Sequence, residues 1–444
     1  PTRRTVLAGL AVAAGAGALA ACGPIGGPIG GYGGATSGAD VTGSVSWMYS
    51  NDPQAAGFDR IEAAFKEEYP KVNLEILYTP DDLYDKVVAM FSAGTPPEVF
   101  RLNDDFVLSW KTRGLLAPLD QYMNMKADGV KKGDYYDGII NFPVQDGKTY
   151  SWFMGARQRL IYYNVDLFKR FGVALPPTKW QQSGWTFDDF VDTARELTRL
   201  NEQPAIYGAV VYDDTGCEQT FAINNGSPTG IYSEDGRKFT LADPPGYEAM
   251  QWIADLTHRH HVQPTRQVSD QLDGSNDMFV NQMLAMRYAS TGFIDRLHRD
   301  APQLTWDVAP IPMKATRQTE ASIQTFALAQ GAKDPDNGWR LLRFFTENKA
   351  SAQAFIDTGF VIPAKKDFSK DYIAAHKGKT PANAALIVEA FSHQTQPNQT
   401  LDTPAARDIY RGDGLMNKIW DGKVTASAGL TSVRDAIEAA IAPK

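Results

Sequence analysis

An alternation of strand-like and helix-like patterns near the start of the globular part most constrains how this chain can fold. Val45, Trp47 and Tyr49 alternate with small or polar residues, which is typical of a strand with one buried face. Apolar residues then recur at helical spacing over 58–69, and alternation returns over 72–78. Because a strand, a helix and a second strand within about 35 residues form a βαβ unit, the pattern predicts an α/β lobe with a parallel sheet.

The same two patterns continue along the chain, and a second α/β stretch spans residues 160–308. We predict strands at 99–100, 160–163, 207–211 and 283–288, an extended segment at 306–312, and helices over 83–92, 186–200, 247–258, 339–356 and 430–441. At 444 residues the chain exceeds a comfortable single core, so two or three domain-sized units are expected.

The first 22 residues have the order of an export signal. Arg3-Arg4 precedes an uncharged run over 6–21, and Leu-Ala-Ala at 19–21 leads directly to Cys22. The alternative of a membrane anchor is weaker, because the run falls short of the roughly 20 residues that a span requires. We therefore predict an export signal at 1–21, lipid attachment at Cys22 and a glycine-rich tether over 22–43, with the protein held on the extracytoplasmic face of the cell membrane.

Charge and cysteine content limit the partners. The formal charge of −8 becomes −10 once Arg3 and Arg4 are removed, which disfavours nucleic acid and anionic lipid. We expect the membrane to be reached only through the lipid anchor. If Cys22 carries lipid, Cys217 has no disulfide partner and is expected to be a small buried or half-buried thiol, with a reactive thiol as the alternative.

Several ordered segments resemble the extracellular solute-binding lipoproteins of ABC importers, the group that includes maltose-binding protein. The segments are Phe-Lys-Glu-Glu-Tyr-Pro at 65–70, Gly-Thr-Pro-Pro-Glu-Val-Phe at 94–100, Ile-Tyr-Tyr-Asn-Val-Asp-Leu-Phe at 161–168, Leu-Pro-Pro at 175–177, Trp-Thr-Phe-Asp-Asp-Phe at 185–190, and the stretches 306–312 and 359–363. The resemblance runs over 45–441, nearly the whole chain after the tether.

The resemblance implies a two-lobe periplasmic-binding-protein-like α/β fold, with a hinge and a ligand cleft between the lobes. The chain would cross between lobes near 152–157, 313–317 and 360–365. The lobes would then comprise 44–154 plus 314–360 and 155–313 plus 361–444. It also implies a monomeric, non-enzymatic carbohydrate binder without cofactor, which delivers its ligand to the permease subunits of an importer driven by a cytoplasmic ATPase.

Candidate ligand contacts come from the rule that ligands bind outside the carboxyl ends of parallel strands. Polar groups suit sugar hydroxyls, which both donate and accept, and aromatic faces suit the apolar side of a sugar ring. The candidates are Tyr49, Asn51, Asp52, Asp104, Trp152, Arg157, Tyr212, Thr291, Gly292, Phe293 and Gln324. Core packing for the aromatics, and caps or turns for the polar residues, are the structural alternatives.

Two of these candidates, Arg157 and Phe293, leave the chemical identity of the solute undecided. Arg157 could bind a carboxylate or phosphate, or it could bridge the lobes through an aspartate. A glycerol-phosphate or polyol solute is therefore the alternative ligand. Phe293 stands where family members often carry tryptophan, which leaves the identity of the sugar open.

Other motifs favour structural interpretations. His258, His260 and His261 lack the spacing of a zinc site and are expected at a helix end. Asp334 and Asp336 lack the distal glutamate of a calcium loop, so a helix start is predicted there. A secreted glycosidase or lyase remains the main enzymatic alternative, and an adhesive surface protein a third class.

Overall fold

The computed structural model describes residues 38–50, 57–79, 81–125, 128–359, 361–395, 406, 408–412 and 414–441. The strands are β1 (Gly43–Ser50), β2 (Val72–Thr79), β3 (Val99–Asn103), β4 (Val144–Gln145), β5 (Lys148–Thr149), β6 (Trp152–Asn164), β7 (Tyr207–Val210), β8 (Leu284–Ser290), β9 (Trp306–Ala309), β10 (Ala321–Leu328) and β11 (Ile362–Pro363). Predictions that concern the export signal, Cys22, Asn51, Asp52 and Phe360 lie outside the described residues.

Helices connect many of these strands. They are α1 (Phe58–Glu68), α2 (Leu83–Ser92), α3 (Val107–Thr112), α4 (Asp120–Met123), α5 (Asp137–Ile140), α6 (Val165–Phe171), α7 (Phe187–Leu197), α8 (Cys217–Asn224), α9 (Pro244–His258), α10 (Arg266–Gln271), α11 (Ser275–Val280), α12 (Phe293–Asp300), α13 (Pro335–Glu347), α14 (Lys349–Thr358), α15 (Lys366–Ala375), α16 (Ala384–Glu389), α17 (Leu415–Trp420) and α18 (Ala426–Ile441). Within the predicted tether, Gly38–Asp40 forms a 3-10 turn.

The predicted βαβ unit is present as β1, α1 and β2. β1 pairs in parallel with β2 from Gly43 to Ser50 and also with β3, so the strand order begins β2-β1-β3. The helix packs its apolar face inward, and Phe58 contacts Trp47 with ring centroids 5.2 Å apart. Val45 to Tyr49 are all buried, so β1 is covered on both faces and not on one as its alternation predicted. β2 alternates between buried Val72 and Leu74 and exposed Asn73 and Glu75.

The centre of the sheet is antiparallel, which the βαβ pattern did not predict. β6 is a single strand of 13 residues whose first half pairs with β10 and β11 and whose second half pairs with β8 and β9. The apolar run predicted at 160–163 and the predicted crossing at 152–157 are thus one continuous strand. Gly155 permits the close approach of β11, since a Cβ there would lie 2.1 Å from the Ile362 carbonyl oxygen.

One predicted helix is divided in the structure and another ends earlier than predicted, while the helices predicted at 247–258 and 430–441 begin three and four residues earlier. The helix predicted over 339–356 is divided into α13 and α14 at Asn348, whose extended backbone ends one helix while its side chain accepts from the Ala350 and Ser351 amides to begin the next. The helix predicted over 186–200 ends at Leu197, because Thr198 adopts extended dihedral angles. No helix among the described residues is long and apolar enough to cross a membrane.

Candidate functional site

A pocket of about 340 Å³ opens where the end of α14 faces the turn between β8 and α12. It is lined mainly by polar and charged side chains. The lining residues are Arg157, Asp214, Asn276, Arg287, Ala289, Ser290, Gly292, Phe293, Asp295, Arg296, Thr358 and Gly359. Three predicted contacts, Arg157, Gly292 and Phe293, are therefore brought together. We refer to this space as the binding pocket.

Two glycines set the shape of the binding pocket. At Gly292 a Cβ would lie 3.7 Å from the Arg157 Cδ and Cζ atoms, so the arginine side chain lies directly across this turn. Gly359 ends α14 with φ +65°, a left-handed conformation that favours glycine, and a Cβ there would lie 3.7 Å from the Asp295 Cβ. Close packing of the two turns therefore holds α14 against α12 at the rim.

Phe293 lines the pocket but belongs mainly to the core. It is 6% exposed, its ring packs edge-on against Tyr162 at 5.4 Å, and the Arg287 guanidinium lies over it at 4.6 Å. The ring therefore offers little free face for a sugar to stack upon, and its main effect is to hold Arg287 in place.

Arg287 and Arg296, which line the binding pocket, are paired with acids of the protein. Arg287 lies 3.4 Å from Asp213 Oδ2, and its Nε donates to Ser275 Oγ at 2.7 Å. Arg296 donates to both carboxylate oxygens of Asp277 at 2.8 Å. Because these guanidiniums already have acidic partners, they contribute fixed hydrogen-bond geometry more than unbalanced positive charge.

A buried ion pair network lies behind the binding pocket. Arg159 Nε donates to Asp214 Oδ1 at 2.6 Å, and its Nη1 pairs with Glu320. Burial alone would lower the pKa of Arg159, but Glu320 and Asp214 outweigh it and the pKa is raised. Burial raises the pKa of Glu320, against the lowering effect of Arg159. Asp214 thus joins this network to the pocket, and its second oxygen accepts from the Ser290 amide at 3.1 Å.

Two predicted polar contacts, Asp104 and Gln324, are bound to the protein itself. Asp104 Oδ2 accepts from the Ile323 amide at 2.7 Å, and burial together with Asp105 raises its pKa well above the ordinary value. Gln324 accepts from Arg101 at 3.0 Å through Oε1 and donates to Ser322 through Nε2. Neither side chain is among those that line the binding pocket.

The remaining described candidates also lie outside the binding pocket. Trp152 is fully buried and donates from Nε1 to Thr346 Oγ1 at 3.0 Å. Tyr49 packs against Trp47 at 4.7 Å. Tyr212 is half-buried against the core, and burial raises the pKa of its hydroxyl. Thr291 lines a smaller neighbouring cavity of about 50 Å³. For Trp152 and Tyr49, the core alternative raised from the sequence describes the observed packing.

Asp214 and Ser290 belong to polar segments that the sequence places after strands. Sequence reasoning omitted other pocket residues: Asn276, Arg287, Asp295, Arg296, Thr358 and Gly359. One signal was available, because Arg287 is a charged residue within the otherwise apolar strand β8. Asp295 and Arg296 follow Gly292 in the first turn of α12, where polar groups are also typical of caps. Thr358 and Gly359 reach the pocket only through the packing of α14, which no local pattern predicts.

The motifs that resembled metal sites have structural roles. Asp334 is the N-cap of α13, accepts from the Asn337 amide and precedes Pro335, so the predicted helix start is confirmed. His258 is the last residue of α9, as predicted, and its Nε2 donates to the Trp420 carbonyl. Cys217 is a buried free thiol, also as predicted. Among the described residues there is no cluster of three side chains suited to a metal ion.

The comparisons with known proteins identify the family. The model of the bacterial extracellular solute-binding protein family matches residues 50–352. The chain belongs to this family. Putative binding proteins of Brucella abortus (strain 2308) and Brucella suis biovar 1 (strain 1330) are each 25% identical over 365 residues, covering 80% of this chain and 85% of theirs.

Solved structures of solute-binding proteins share the fold. An ABC substrate-binding protein of Listeria monocytogenes in complex with cycloalternan has a TM-score of 0.75 at 20% identity, covering 90% of this chain and 99% of that one. The sugar-binding protein MalE of Xanthomonas citri has a TM-score of 0.74 at 15% identity, with 90% and 97% covered. The predicted α/β fold of the two-lobe periplasmic binding proteins is confirmed.

Proposed function

We propose that this solute-binding protein captures a neutral carbohydrate in the binding pocket and delivers it, chemically unchanged, to the permease of an ABC importer. The observation that supports this proposal is the chemistry of the side chains that line the pocket. Its volume of about 340 Å³ lies within the range of small-molecule sites. Hydrogen-bond donors such as Arg157 and Asn276 stand beside acceptors such as Asp214 and Asp295. This mixture suits hydroxyl groups, each of which donates and accepts.

The charges around the pocket favour a neutral solute. Arg287 and Arg296 are held by Asp213 and Asp277, while Asp295 pairs with Arg299 at 2.8 Å. A phosphate would bring a charge of about −1.5 to −2 against cations that are already compensated. A phosphate-bearing solute is the second candidate, and the presence of Arg157 in the lining is the observation that favours it.

The family match also supports a proposal about where the protein acts and which partners it has. As an extracellular solute-binding protein, the chain is proposed to be exported, anchored through lipid on Cys22 and monomeric, with no catalytic activity of its own. Solved relatives include proteins whose names state that they bind maltose, cycloalternan or a cyclic maltosyl-maltose. The binding of a solute would shift the balance between open and closed lobes, and the closed form would dock on the permease.

A ligand panel tests the proposal. The melting temperature of the purified chain is measured with mono-, di- and oligosaccharides, polyols and glycerol phosphates. A bound ligand at 100 times its Kd stabilises the folded state by about 2.7 kcal/mol. Chromatography after incubation should recover the sugar intact. Cleavage of the sugar would replace the proposal by a glycosidase, and stabilisation by glycerol phosphates alone would favour the second candidate.

A further inference from the structure

Arg159 is not among the residues that line the binding pocket, yet each of its three guanidinium nitrogens is bonded to a neighbouring side chain. Nε donates to Asp214 Oδ1 at 2.6 Å, Nη1 pairs with Glu320, and Nη2 donates to Thr215 Oγ1 at 3.2 Å. The Arg159 side chain is 7% exposed, so these bonds are largely shielded from water. Because the donors of a planar guanidinium have fixed directions, three such bonds fix the position and the plane of the group.

Gly216 allows this arrangement at the start of α8. Its backbone has φ +102°, and a Cβ at this position would lie 2.5 Å from Glu320 Oε2 and 3.0 Å from Arg159 Cζ. A side chain here would displace the ion pair, and glycine adopts this backbone conformation readily. The Arg159–Glu320 pair therefore packs directly against the turn that carries Asp214.

Asp214 connects this ion pair to the binding pocket. It lines the pocket, and its side chain keeps 14% of its surface exposed. Oδ1 accepts from Arg159, and Oδ2 accepts from the Ser290 amide at 3.1 Å. A carboxylate has about four acceptor positions, so the two bonds leave capacity for a ligand hydroxyl.

The two acids depend on Arg159 because they repel each other. The negative charge of Asp214 raises the pKa of Glu320, whereas Arg159 lowers it. The cation thus stabilises both carboxylates in their charged form and bonds to each through a separate nitrogen. An acid left buried without its cation takes up a proton or turns toward water. Either change would alter the acceptor that Asp214 presents to the pocket.

We propose that Arg159 is a positioning residue for the ligand, which acts through Asp214 and does not contact the ligand itself. Glu320 orients Arg159, and Arg159 holds the Asp214 carboxylate charged and fixed in direction, so that it accepts a hydrogen bond from one hydroxyl of the sugar. The inference rests on the proposed function and deepens it. A fixed anionic acceptor requires a ligand with a hydroxyl donor at this point and disfavours a phosphate or carboxylate there.

A double-mutant cycle tests this inference. Affinity for the best sugar of the panel is measured by calorimetry for the parent, R159K, D214A and the double variant. R159K keeps the positive charge and loses the fork of donors, while D214A removes the acceptor and leaves Arg159 paired with Glu320. D214A should bind 10- to 100-fold more weakly than the parent, and R159K about tenfold more weakly. In the D214A background R159K should change affinity less than twofold, because no carboxylate remains to be positioned.

Two further variants separate positioning from folding. E320Q keeps the shape of the side chain that orients Arg159 and removes its charge, so it should lower affinity at least threefold in the parent and less than twofold in D214A. If R159K does not fold, this second cycle makes the same comparison. The control R340K alters an arginine on α13 whose side chain is 11% exposed and whose Nε lies 3.5 Å from Asp128 Oδ2, so affinity should be unchanged. Melting temperatures without ligand establish which variants are folded.

Equal losses of affinity from R159K in the parent and in D214A would overturn the proposal, because Arg159 would then act through the stability of the fold and not through Asp214. Unchanged affinity in D214A, or in both R159K and E320Q, would overturn it as well. In each of these cases the sugar still binds to the parent, so the proposed function stands. If no sugar of the panel binds to the parent, the proposed function itself fails, and this inference fails with it.

Discussion

The turn after β8 and the turn after β3 both carry polar residues at strand ends, yet only the first lines the binding pocket. After β8, Ser290 and Gly292 lie beside Arg157, with Asp295 across the rim. After β3, the Asp104 carboxylate is bonded to the Ile323 amide. A polar residue at a strand end is available to a ligand only where the packing of the neighbouring elements leaves it on the lining of the pocket.

Strand direction accounts for this difference. β10 runs antiparallel to β3, with Gln324 opposite Asn103, so the first residues of β10 meet the end of β3 and bond to its polar groups. β7 and β8 are parallel, so their carboxyl ends lie together. There Asp214 accepts from the Ser290 amide and still lines the pocket. The rule that ligands bind outside the carboxyl ends of strands therefore holds best where the adjacent strands are parallel.

The largest expected effect comes from the buried ion pair network behind the binding pocket. R159M would leave Asp214 and Glu320 buried without their cation, so we expect a loss of about 3–5 kcal/mol in the free energy of unfolding, measured in urea. The control R299M removes an arginine whose side chain is 61% exposed and should cost no more than about 1 kcal/mol. Equal losses in the two variants would contradict the role given to Arg159.

A substitution of Trp152 should show that this residue contributes to stability and not to sugar affinity. W152A removes a fully buried ring and a hydrogen bond to Thr346, with an expected loss of about 3–5 kcal/mol in stability. The sugar affinity of the folded molecules, measured by calorimetry below the melting temperature, should stay within twofold of the parent. A large loss of affinity at unchanged stability would return Trp152 to the ligand contacts.

For Arg157 we expect the reverse result, a large loss of sugar affinity with little loss of stability. R157A removes a donor that lines the binding pocket, so sugar affinity should fall by about 10- to 100-fold, equivalent to ~1.5–3 kcal/mol for a hydrogen bond from a charged group. Calorimetry with the best ligand of the panel measures this. The melting temperature without ligand should change by only a few degrees. If stability fell and affinity did not, Arg157 would serve to bridge the lobes.

The smallest effect is the pH dependence contributed by Asp104. Its pKa in the folded state is raised above the ordinary value of 3.8 by burial and by Asp105. The folded state therefore binds the proton more tightly than the unfolded state, and this group adds stability as the pH falls through the raised value toward 3.8. Urea unfolding at several pH values should show the parent gaining stability relative to D104N on acidification. A difference that is constant with pH, or of opposite sign, would contradict this assignment.

Local pattern predicted much of the fold and less of the site. The β1-α1-β2 unit was predictable because periodicity and a proline at position 70 mark its elements. The division of α13 from α14 was not, since the apolar spacing continues across Asn348 and only its backbone conformation ends the helix. In the site, Gly292 and Phe293 were predicted as ligand contacts because they follow a strand. Arg157 was predicted because it precedes the apolar stretch 160–163. Thr358 and Gly359 depend on how α14 packs in three dimensions.

Hydrogen–deuterium exchange with saturating sugar tests the central claim most directly. The sugar is the one that raises the melting temperature most in the panel. If it is held between α14 and the turn after β8, exchange should slow over 287–296 and 356–359 and stay unchanged in β3 (Val99–Asn103). Protection confined to β3 and the start of β6, with none over 287–296, would contradict the assignment of the binding pocket.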